Sequence, residues 1–132
     1  MQLRSLVVLF GLILAGHAQA RVSLDEANRE VDAAVVAIGE MEACSVILLS
    51  DSFKYSEAAV DAQVAVDKLF RAAGLTLAPG MLARKIALER KLMASGLSAP
   101  SANKQSRETD CNNSLDNAKV AVRRLTKLAA KP

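Results

Sequence analysis

Histidine is nearly missing from this chain of 132 residues: one is present, His17, and it lies within the first twenty residues. A Ser-His-Asp triad, a histidine-ligated haem, an imidazole-ligated zinc site and a Glu-x-x-His di-iron helix are therefore all excluded from the rest of the chain. Cysteine is scarce as well, with Cys44 and Cys111 far apart and no Cys-x-x-Cys pair for redox work or haem attachment. No EF-hand loop is present, and no ligand set points to a metal or a cofactor. No apolar run is long enough for a bilayer span, which needs ~20 residues.

What is present begins with a leader. Arg4 precedes an apolar run from Leu6 to Ala15, followed by Ala18-Gln19-Ala20, a small-x-small cleavage site. The expectation is that residues 1–20 form a secretory signal peptide and that residues 21–132 form a single helical domain, periplasmic or secreted. An oxidising compartment favours a disulfide, and two cysteines allow one intramolecular pairing, Cys44 with Cys111.

Four segments carry apolar residues at alternating spacings of four and three, the mark of a helix with one buried stripe. Ser23-Leu24-Asp25-Glu26 has the spacing of a capping box, so the first helix is expected to start at Leu24. Its stripe runs through Val31, Ala34, Ile38, Met41, Ser45 and Leu48 until Ser50-Asp51-Ser52 interrupts it. The second helix, from Ser52 or Ser56 to Ala73, carries Tyr55, Ala59, Ala62, Val66, Leu69 and Ala73, with Gly74 as its stop. Phe53, Tyr55 and Phe70 lie in this segment and are read as core and corner packing.

Leu75 to Ala78 reads as a plain connection, and Pro79 suits the first position of a third helix. There Leu82, Ile86 and Met93 share a face, with Met81, Leu88 and Leu92 beside it; Gly96 supplies the stop. Leu97 to Gln105 reads as the longest exposed loop. Ser106 or Thr109 then caps a last helix whose stripe is Cys111, Leu115, Ala118, Val122, Leu125 and Ala129. The fold expected is all-α: an antiparallel up-down four-helix bundle crossing at roughly 20°, with one disulfide linking helix 1 to helix 4.

Charge is divided along the chain. Residues 21–67 hold ten acids and three bases, and residues 68–132 hold thirteen bases and four acids. Pairing of helix 1 with helix 4 accounts for part of this, with Asp32 expected beside Arg123 and Asp25 beside Lys131. Such exposed pairs are worth about 0–1 kcal/mol each, so they select topology more than they hold the fold. Arg84, Lys85, Arg90 and Lys91 on helix 3, with Arg124 and Lys127 on helix 4, remain as a basic surface that could dock an acidic protein. Nucleic acid is a poor fit, because one aromatic, Phe70, accompanies the basic segment.

Glu26 with Glu30, and Glu57 with Asp61, share helix faces, yet general acid-base work needs a desolvated carboxyl that spacing alone does not supply. The Asn112-Asn113-Ser114 sequon falls inside the last helix and is read as chance. The function expected is a small exported, non-enzymatic protein-binding module of the inhibitor, immunity or chaperone and adaptor kind. The alternative is a carrier of an apolar small molecule, suggested by Met41, Met81 and Met93.

Overall fold

The computed structural model describes residues 22–131, together with the backbone of 12–14. Apart from that tripeptide, the expected leader and its cleavage site lie outside the described residues.

Helix α1 spans Leu24–Ile47, entered from Ser23, whose hydroxyl accepts from the Glu26 N–H at 3.1 Å. The Glu26 carboxylate turns instead to Lys131, at 3.0 Å, so one half of the capping box is used. A short 3₁₀ turn, Leu49–Asp51, leads into α2, Ser52–Ala73. All six residues of the stripe expected on α2 are buried. Gly74, at φ 65°, closes the helix by bonding its N–H back to Phe70 and Arg71 carbonyls, a left-handed position that glycine takes without strain.

Leu75–Leu77 is a strand, β2, rather than a plain connection, and it pairs antiparallel with β1, Leu12–Leu14. Leu12 lies opposite Leu77, Ile13 opposite Thr76 and Leu14 opposite Leu75. Gly80, at φ 75°, then caps α3, Met81–Leu97, so Pro79 precedes the helix instead of opening it. The last helix, α4, spans Lys104–Ala129 and begins earlier than Ser106 or Thr109 as cap would require. Asn103 is its cap: its Oδ1 accepts from the Ser106 N–H at 2.8 Å, and Ser106 Oγ accepts from the Asn103 N–H at 2.9 Å. That reciprocal pair shortens the expected loop to residues 98–103.

Helix α1 is the hub. It packs against α2, α3 and α4; α2 and α4 also pack on each other, while α3 has its main packing on α1 alone. A ring in sequence order would place α3 between α2 and α4, so the arrangement differs from the expected one. The chain turns by 116° between α1 and the segment Leu49–Ala73. A 20° antiparallel crossing would need roughly 160°. Three neighbours explain why α1 buries far more than one stripe, from Ala27 and Asn28 through Val35, Ala37 and Gly39 to Ala43 and Cys44.

Two tethers orient α4 on α1. The Cys44–Cys111 disulfide, Cα–Cα 5.8 Å, joins them at one end, and the Glu26–Lys131 pair joins them at the other. Gly39 sets the approach of α3. A Cβ there would lie 2.6 Å from Glu89 Cβ and 2.7 Å from the Arg90 backbone nitrogen, so the two helices meet where one has no side chain. Among the described residues, no single helix is long and apolar enough to cross a membrane.

Candidate functional site

The six bases expected to form one surface lie on two helices that have no main packing on each other. Arg84, Arg90 and Lys91 are exposed on α3, and Arg124 and Lys127 are exposed on α4, but each helix leans on α1 and they share no main packing. Lys85 is not on the surface at all: it is 7% exposed, on the same side of α3 as Glu89, which is 3% exposed. The aliphatic stem of a lysine makes such a position possible at a helix contact. Arg90 is engaged by Glu42 of α1 at 3.4 Å. The apolar face of α3 is rotated accordingly, with Ile86 buried, Leu82 and Met93 half-buried, and Leu88 and Leu92 about half exposed.

Glu57 and Asp61 line an open groove of about 390 Å³ between α2 and α4. Lys54 lines it with them, Lys119 and Arg123 stand on the α4 side, and Ala58, Leu115, Ala118 and Val122 complete it. The groove is open to solvent and lined by charges of both signs. Glu26 is held by Lys131, and Glu30 lines a separate groove between α1 and α4 with Arg124. Lys131 therefore pairs with Glu26 and not with the expected Asp25. Among the described residues, no group of three His, Cys, Asp or Glu side chains could hold a metal ion.

At the pole where α2 and α4 begin, the ring of Tyr55 is buried and its hydroxyl donates to Asn112 Oδ1 at 3.2 Å. Lys54 Nζ donates to the same oxygen at 3.4 Å and stands 4.9 Å from the ring centroid. Burial raises the Tyr55 pKa above its ordinary 10.0, with Lys54 pulling the other way. Asn112, the first residue of the sequon, thus serves as an acceptor within the fold.

The surface feature missed by the periodicity reading is apolar. Val46, Leu49 and Phe53 form the α1–α2 corner, 68%, 76% and 80% exposed, and Val60 and Val64 continue along the outer face of α2. Phe53 therefore does not pack in the core. The signal was available: Phe53, Val60 and Val64 fall on one side of α2, opposite the Tyr55 stripe, at spacings of seven and four. Set against family models, curated proteins and solved structures, the chain matches none of them.

Proposed function

We propose that the chain is an exported, disulfide-braced helical module that binds another protein, of the inhibitor, immunity or chaperone and adaptor kind, through the apolar corner at Val46, Leu49 and Phe53. The observation that carries this reading is the exposure of those three side chains, 68%, 76% and 80%, which exceeds that of the other exposed large apolar residues, Leu24, Val60, Val64, Leu88 and Leu92. Apolar patches of this kind mark protein contacts, because a partner removes them from water at roughly 25 cal/mol per Å². Asp51 and Lys54 rim the corner with charges of both signs, suiting a partner whose own apolar patch has a polar border.

The carrier alternative draws less support. Met41 is fully buried among core residues, and the grooves along the described helices open to solvent. To test the binding reading, Leu49→Glu and Phe53→Glu are combined and compared with Arg84→Glu combined with Lys91→Glu, each checked for helicity by circular dichroism. Pull-down of a partner from the source organism is expected to fall at least tenfold for the corner variant and little for the basic one. Equal recovery with the corner variant would remove the corner from consideration.

A further inference from the structure

The short strand β2 is a built edge. It is bracketed by the two left-handed glycines, Gly74 and Gly80, which turn the chain out of α2 and into α3. Along it Leu75 is buried, Thr76 exposed and Leu77 half-buried, so one face looks into the protein and the other outward. Its ladder partner is Leu12–Leu14, in antiparallel register. Those residues belong to the segment that the sequence marks for removal at Ala20.

From this we propose that, after removal of residues 1–20, the β2 edge accepts by strand addition an extended segment of a partner protein. The inference rests on the export and binding reading above but uses a different surface from the α1–α2 corner. Directly opposed residues of an antiparallel pair share a face of the ladder. The two positions of the incoming strand opposite Leu75 and Leu77 therefore point inward, and the position opposite Thr76 points to solvent. The segment recognised has the pattern apolar, any, apolar, with backbone hydrogen bonds supplying affinity and the two inward side chains supplying selectivity.

Space for an inward side chain exists beside the strand. An open groove of about 380 Å³ runs along it, with Phe70, Leu77, Leu82 and Ile86 among its lining residues. An edge of three residues is short enough to avoid the aggregation that long bare edges provoke. Among the described residues the main contact of β1 is with β2, so its departure leaves the described helix-to-helix contacts in place.

The exported protein, isolated with its N-terminus sequenced, is titrated with a synthetic peptide of sequence Phe10–Gly16 flanked by lysines, and amide hydrogen exchange is followed. Protection gained at Leu75–Leu77 is expected. A peptide carrying Leu12→Asp and Leu14→Asp is expected to bind at least tenfold more weakly, as is the original peptide to a Leu77→Asp protein. Equal binding of both peptides, protection elsewhere, or no binding overturns the proposal, as does an isolated protein that retains residues 1–20. Protection at Leu75–Leu77 that grows with protein concentration in the absence of peptide overturns it in favour of a second copy as occupant. Because the corner variants leave β2 intact, failure here and failure of the corner as a docking site are read separately.

Discussion

Helix α2 buries every residue its four-three spacing names, whereas α3 buries Lys85 and Glu89 and leaves Leu88 and Leu92 about half in solvent. The two helices differ in their neighbours. Helix α2 lies against both α1 and α4, which together cover a full stripe; α3 has α1 alone as its main support. With two neighbours, burial of apolar area decides which face turns inward. With one neighbour and a backbone meeting at Gly39, the steric fit of that contact decides instead, and long polar side chains are carried inside with it.

The largest expected effect falls on the well-supported part. Cys44 and Cys111 close a loop with a sequence separation of 67, for which the chain-entropy model assigns about 4 kcal/mol. Cys111→Ser is expected to lower the melting temperature by more than about 10 °C, measured by calorimetry on the purified protein. Loss of exchange protection should extend through α1, α2 and α4 together. Protection lost from α3 alone would break the division drawn between the two regions.

A smaller and more local effect tests the other side of the comparison. Gly39→Ala places a Cβ against Glu89 and the Arg90 backbone, and overpacking of this kind costs about 1–3 kcal/mol, more than the ~1 kcal/mol alanine gains as a helix former. Gly96, with no atom within 4 Å of a built Cβ, is the control on α3. Gly96→Ala is expected to be neutral or stabilising. Hydrogen exchange should accelerate in α3 for Gly39→Ala while α2 and α4 keep their protection; uniform acceleration would show that α3 is as integral as its companions.

These contrasts show what could be seen in the sequence. Four helices, the Cys44–Cys111 bond and the α2 stripe were legible because each depends on local spacing or on a pairing with one solution. Helix order around the hub was not, because the cue is one glycine, Gly39, whose role depends on the residues of another helix. The same holds for one member of the expected basic surface. Lys85 reads as outward from charge alone, and its burial follows from which side of α3 meets α1. Of the exposed apolar corner, the residues on α2 could be named from the face opposite Tyr55, but their exposure depends on which of the described helices pack on α2, and on which side.

The smallest effect concerns the pole where α2 meets α4. Tyr55 is the one tyrosine of the chain, so its ionisation can be followed directly by ultraviolet absorbance. Burial holds its proton more tightly in the folded than in the unfolded protein, raising the pKa above 10.0 even though the neighbouring Lys54 opposes the shift. A raised folded pKa means that the contribution to stability is fully present below about pH 10 and is lost as pH rises through the folded value. Tyr55→Phe also removes the bond to Asn112, a change worth about 0.5–1.5 kcal/mol at neutral pH. In denaturant titrations from pH 7 upward, the native protein is expected to exceed the variant by that margin and the difference to shrink above about pH 10. A gap that stays constant through the tyrosine titration would mean that the hydroxyl ionises in the fold as freely as in the open chain, and that the pole between α2 and α4 admits water.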